Sequence, residues 1–277
     1  MIEKTFDPIQ RQMKRLGIYL LFSMLLSFHQ EGISQLESEI LDLKGVVYKK
    51  ELGFEAKLHT NGYAVSVNFG DIITYYKTRY YMFEIGVMGD PREQSQNKNL
   101  SFPFQSLSRS FKFGKQNSVI MLRGGIGTRK YLSEKAKRKG IAIGYNYEIG
   151  PTLALLKPYY LNLFYVGERD GQQILTLRSE KYGPENADKF LNFNDIHSSA
   201  GYAKGFGEIN VVPGAQAKLG FFFSLDAFDE YSKTIEVGMM SDVFLRKIPI
   251  MVETEAISNK PYFVNFYLSF HIGIRSN

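Results

Sequence analysis

The stretch YFVNFYLSFHIGI, Tyr262 to Ile274, alternates without a break. Every second residue is apolar: Tyr262, Val264, Phe266, Leu268, Phe270, Ile272 and Ile274. The intervening residues, Phe263, Asn265, Tyr267, Ser269, His271 and Gly273, are mixed to polar. Successive side chains of a β-strand point to opposite faces, so the stretch reads as a long strand with one greasy face and one wet face. The pattern recurs in LGFEAKL (52–58), YAVSVNFG (63–70), YMFEIGV (81–87), IAIGYNYEI (141–149), AQAKLGFFFSL (215–225) and IEVGM (235–239). Period two repeated this often specifies an antiparallel β protein. Composition agrees: 22 Phe, 18 Tyr and 25 Gly suit strands and turns better than helices.

Two environments can take such strands. In a soluble sandwich the apolar face is a protein core and the other face meets water. In a membrane barrel the apolar face meets lipid and the other lines a lumen. The alternating stretches reach about ten residues, the length of a tilted membrane-spanning strand. Their polar faces are rich in Gly, Ala, Ser and Asn, which suits a narrow interior. Tyr63, Tyr145, Tyr147, Tyr262 and Phe270 are candidates for interfacial aromatic belts. A leader is also legible. Lys14 and Arg15 precede an apolar run from Leu16 to Phe28, and the small residues Gly32 and Ser34 mark a cut before Gln35. That apolar run is shorter than the roughly 20 residues a spanning helix needs, so it reads as a secretory signal peptide. Residues 1–34 are then the signal, with 1–12 an over-extended start, and 35–277 the barrel domain.

The alternation predicts about ten strands, near 51–59, 62–73, 79–89, 118–129, 140–150, 153–166, 171–179, 211–226, 234–245 and 261–274. The stretch 171–179 alternates least, and losing it with a neighbour leaves eight. With an even number, both ends lie on one side. The long connections 90–117, 180–210 and 246–260, with the turns 60–61 and 151–152, then fall on the opposite, outer side, as barrels of this kind prefer.

The inward set carries both signs: Glu55, Glu84, Glu148, Glu236 and Asp242 against Lys57, Arg123 and Lys218. Unpaired buried charges are costly, so these eight are expected to pair across a filled lumen, with a narrow solute pore as the alternative. Ser269 and His271 share a face, which invites a Ser–His hydrolase reading; two polar lumen residues is the simpler one. RGGIG at 123–127 has no helix after it and marks a tight strand rather than a phosphate loop. The chain has no Cys, and its His residues lack metal-ligand spacing, so no metal or cofactor is expected. A net charge of +6 is too modest and dispersed to indicate nucleic acid. Arg92, Arg109, Lys112 and Lys115, in a polar, aromatic outer loop, are candidate contacts for lipopolysaccharide or a protein partner. RKIPIMVE (246–253) is an apolar outer stretch and a candidate contact surface.

The segments LHTNGYAVSVNFG (58–70), FEIGVMGDPRE (83–93), YEIGPTLALLKPYYL (147–161) and IPIMV (248–252) resemble an uncharacterised family of outer-membrane β-barrel proteins from Bacteroidota. The resemblance spans most of the chain after the leader. It implies an outer-membrane barrel and carries no catalytic residue or cofactor. Barrels of this type usually end on an aromatic read by the barrel-assembly machinery; here IRSN closes the chain, so Phe270 or Ile274 would serve. The sequence thus predicts a small, non-enzymatic outer-membrane barrel, an accessory or structural component presenting its outer loops.

Overall fold

The structure is a computed structural model that describes residues 48–97, 109–133, 141–169, 172–225, 229–254 and 258–277; the expected leader lies outside them. Among the described residues the strands are β1 (Lys50–His59), β2 (Gly62–Thr74), β3 (Lys77–Met88), β4 (Ser95–Gln96), β5 (Phe111–Lys112), β6 (Asn117–Tyr131), β7 (Ala142–Pro158), β8 (Tyr160–Arg169), β9 (Gln172–Lys181), β10 (Ile196–Ser199), β11 (Asn210–Ser224), β12 (Tyr231–Phe244) and β13 (Tyr262–Ser276), with a short α-helix, α1 (Ala187–Phe190), and three single 3-10 turns. Eight of them close into an antiparallel up-and-down barrel in the order β1-β13-β12-β11-β7-β6-β3-β2. Closure is complete: β1 pairs with β13 from Lys50↔Ser276 to His59↔Tyr267, so no barrel edge is left open.

Exposure along the strands is inverted relative to a water-soluble protein. On β13, Phe266 is 71% exposed while its neighbour Asn265 is fully buried. Leu268, Phe270, Ile272 and Ile274 also face outward, as do Phe54, Val65, Phe83, Ile149, Phe221 and Val237 on other strands. The inward positions hold the charges. Greasy outside and ionic inside is the arrangement of a transmembrane barrel, because lipid rather than water covers the outer face.

The barrel has eight strands, the lower of the two expected counts. The expected turn at 151–152 is absent, and β7 runs straight through Gly150 and Pro151 to Pro158. Two local features allow this. The ladder to β6 is interrupted between Arg123↔Thr152 and Ile126↔Ile149, so the missing Pro151 N–H falls at the gap. The backbones also approach closely there: a Cβ on Gly150 would lie 2.1 Å from the Gly124 carbonyl oxygen. Gly124 and Gly125 of the RGGIG run therefore sit inside β6, against Gly150. The expected sixth and seventh strands are the upper part of β7 and a hairpin, β8–β9, that leaves the barrel. β9 cannot face lipid, because neither of its alternate sets is apolar: one is Gln172, Ile174, Thr176, Arg178 and Glu180, the other Gln173, Leu175, Leu177, Ser179 and Lys181.

The connections segregate. β2, β6 and β11 end, and β3, β7 and β12 begin, at the end where β1 starts and β13 finishes. β3, β7 and β12 end, and β6, β11 and β13 begin, at the other end, with the turn 60–61; the described parts of the long connections lie between them. At that end β8, β9 and β10 form a three-stranded sheet in the order β10-β8-β9. Leu161 and Leu163 of β8 pack with Phe111, Phe190, Ile196 and Val252 into a core of their own. The outer connections thus fold into a small domain.

Candidate functional site

The register of the barrel places its charges. Glu84 of β3 stands directly opposite Arg123 of β6, and Glu148 of β7 opposite Lys218 of β11. From these pairs a chain of ion contacts crosses the lumen. Arg123 grips Asp242 with two bonds of 2.8 Å and donates to Glu84 at 2.5 Å. Glu84 also accepts from Lys57. The Lys57 ammonium lies 3.8 Å from Glu55, and Glu55 lies 3.5 Å from Lys218. Lys218 in turn stands 3.3 Å from Glu148 and 3.5 Å from Glu236. All eight inward residues singled out in the sequence belong to this one buried network.

Neutral groups extend it, while Lys218 Nζ and Glu55 Oε1 rely on ion contacts alone. Tyr80 donates to Asn146 at 2.8 Å and to Glu148 at 3.1 Å. Tyr267 donates to Glu236 at 2.5 Å, and Gln216 to Glu148 at 2.8 Å. Such bonds matter because Coulomb attraction offsets the desolvation of buried ions only when remaining lone pairs are also satisfied.

A second cluster, toward the chain ends, was not singled out in the sequence. Glu51 accepts from Arg129 and from Arg275, both at 2.8 Å, and Arg275 reaches the Tyr131 hydroxyl at 3.3 Å. The signal was present: Glu51 shares a face with Glu55, Arg129 with Arg123, and Arg275 with His271, each an even number of residues apart. Ser269 and His271 are both about 2% exposed, sealed in the same lumen. His59 stands on the same inward face near the opposite end of β1. Among the described residues no group of three or more His, Cys, Asp or Glu side chains is arranged to hold a metal.

The mouth at the long-loop end is closed by apolar packing. Met88, Val119, Met121, Ala154, Leu156, Val212 and Phe244 point inward there and receive Ile248, Ile250 and Met251 from the connection before β13. RKIPIMVE is therefore not an exposed contact surface at its apolar positions. Ile248 and Ile250 are at most 1% exposed, because the barrel rim offers them a dry cavity that the loop can reach.

The four candidate loop contacts part company. Arg92 is held by Asp90 through bonds of 2.6 and 2.7 Å. Lys112 and Lys115 both bind the carboxylate of Glu93, Lys115 at 2.8 and 2.9 Å. Burial alone would raise the Glu93 carboxyl, but the two lysines outweigh it and hold it below the ordinary glutamate value. Among the described residues Arg109 makes no such pair, and it lines a polar cleft in the outer domain.

These features define a transmembrane β-barrel with a filled interior and a folded outer domain. No family model matches the chain, and no curated protein matches it. Solved structures similar in fold include two barrels. One is the N-terminal β-barrel domain of Pseudomonas aeruginosa OprF, at 6% identity and a TM-score of 0.32, covering 82% of this chain and 97% of that one. The other is Neisserial surface protein A (NspA), at 6% identity and a TM-score of 0.37, covering 82% and 96%. The architecture rests on the strand pairing of the chain itself.

Proposed function

We propose that this chain is a small outer-membrane protein, non-enzymatic, whose barrel is a closed anchor and whose outer domain makes its contacts. Those contacts are with outer-membrane lipid, lipopolysaccharide or a protein partner, and insertion is by the barrel-assembly machinery. The reading places it with the Bacteroidota barrels that its sequence resembles. One observation carries it: the interior is occupied from end to end, by ion pairs below and by an apolar plug at the mouth, while the outer connections build a domain with its own core. The outward face supports membrane insertion. Its apolar band gives way to exposed Lys50, Arg79, Lys130 and Lys233 at the end where β1 starts and β13 finishes. Tyr63 and Tyr262 stand outward at the opposite rim.

A solute pore needs a continuous wet path, which the plug interrupts. A hydrolase needs a nucleophile that substrate can reach, and Ser269 is enclosed. The test is fractionation followed by electrophoresis with and without boiling. Protein in the outer-membrane fraction that needs detergent and migrates differently unboiled supports the reading. In planar bilayers the folded protein gives no steady conductance steps. A soluble protein without a heat-dependent shift overturns the reading, and regular conductance steps overturn the closed anchor.

A further inference from the structure

The outer domain holds an open cleft of about 430 Å³ between the β10-β8-β9 sheet and the turn that follows β10. Arg109 and Lys204 stand at its edge, and Asn162, Ser179, Ser198 and Ser199 line it. Among the described residues no carboxylate lines it. Among the described residues neither Arg109 nor Lys204 has a carboxylate partner, whereas Arg92, Lys112 and Lys115 each contact a carboxylate of their own loop, the two lysines sharing Glu93. Charge left uncompensated in this way, beside hydrogen-bonding groups, is a recognition element for an anion.

The polar lining is held in place. Ser179 donates to the Asn162 amide oxygen at 2.6 Å, and the Asn162 amide donates to Ser198 at 2.9 Å. Ser198 thus accepts, which leaves its own O–H to donate to a ligand. Ser199 donates to the Ser110 carbonyl at 2.7 Å and so ties the segment that carries Arg109 to the sheet. His197 is buried in the floor, its ring edge-on to Phe164 at 5.3 Å. Gly201 has φ +46° and lets the guanidinium lie against the turn, since a Cβ there would meet Arg109 Nη1 at 3.1 Å.

We propose that this cleft binds a phosphomonoester carried on a sugar. Charge decides between anions: a phosphomonoester bears about −1.5 to −2 at neutral pH and matches two cations, whereas one carboxylate would leave a cation over. Size and lining decide what carries it. The cleft has the volume of a small-molecule site, larger than a bare phosphate needs, and its hydroxyl and amide groups suit a polyol. The inference rests on the reading of the outer domain as the contact-making part and names the chemistry it contacts.

The experiment uses the full chain, folded in detergent and checked by its heat-dependent migration. Calorimetric titrations compare a hexose phosphate, the hexose alone, inorganic phosphate, and micelles of a phosphorylated glycolipid before and after dephosphorylation. The phosphorylated forms bind and the hexose and dephosphorylated lipid do not. Arg109→Gln and Lys204→Gln each weaken binding about tenfold, the scale of one charge-assisted hydrogen bond. Binding of the soluble hexose phosphate assigns a free sugar phosphate. Binding of the glycolipid alone, lost in the double variant, assigns a lipid headgroup. A heat-shifting barrel that binds neither form, or a double variant that binds as the parent does, overturns the proposal. Hexose phosphate binding by a chain with no heat shift would instead overturn the membrane reading and leave the cleft standing.

Discussion

Strands β13 and β8 are both rich in apolar residues, and they bury opposite kinds of side chain. On β13 the large apolar set is outward, and Asn265, Ser269 and His271 are inside. On β8 Leu161 and Leu163 are fully buried and the polar residues are left at the surface or in the cleft. The difference is the medium beyond the sheet. Lipid accepts Phe266 and Leu268, so the barrel has no reason to bury them and its interior is free for ions. Water does not, so the outer domain gathers Leu161 and Leu163 against Phe111, Phe190 and Ile196. One chain thus contains an inverted core and an ordinary one. Val252, at the end of the segment that plugs the barrel, packs into the ordinary core.

The comparison can be broken from either side. The largest effect belongs to Arg123→Leu, which leaves Glu84 and Asp242 buried without their shared cation. It should cost about 3–5 kcal/mol, read as a lower urea midpoint for the heat-shifting form. Leu163→Ala opens a cavity in the outer domain and should cost about 2–5 kcal/mol there. Limited proteolysis of 159–209 should accelerate while the barrel's heat shift is retained, which would show that the two cores unfold separately. Leu268→Arg probes the outward face at the middle of β13. Facing lipid, it should cost about 2–4 kcal/mol in bilayers. A negligible effect would put water there and undo the contrast with β8.

The smallest effect sharpens the boundary between the two regions. Glu93, held by Lys112 and Lys115, has a folded-state value depressed below the ordinary 4.5. Its stabilising contribution is therefore fully present above about that pH, and is lost as pH falls through the depressed value. Protease cleavage in the connection 89–116 should rise in that acid window. Glu93→Gln should flatten the pH dependence and raise cleavage at neutral pH.

Alternation alone determined that the chain is an antiparallel β protein with two unlike faces, and it assigned the residues of each face correctly along β1, β2, β3, β11, β12 and β13. It also put the eight charges of the main network on inward positions, because strand parity is a local property. Pro151 and Thr152, directly after Gly150, read locally as a turn. Only the tertiary structure shows Gly124 and Gly125 packed against Gly150, with the ladder gap that absorbs the missing N–H. The weak alternation of β9 was visible, but its removal from the barrel depended on a second core that Phe111, Leu163 and Phe190 build from distant segments. The plug was hidden for the same reason, since IPIMV is an apolar stretch until a barrel mouth lined by Met88, Met121 and Phe244 is placed over it. Which carboxylate meets which cation waited on register and closure: Arg123 and Asp242 are far apart in the chain, and only the closed barrel brings them across the lumen. Period two records that a strand has two environments; contacts between distant strands decide what those environments are.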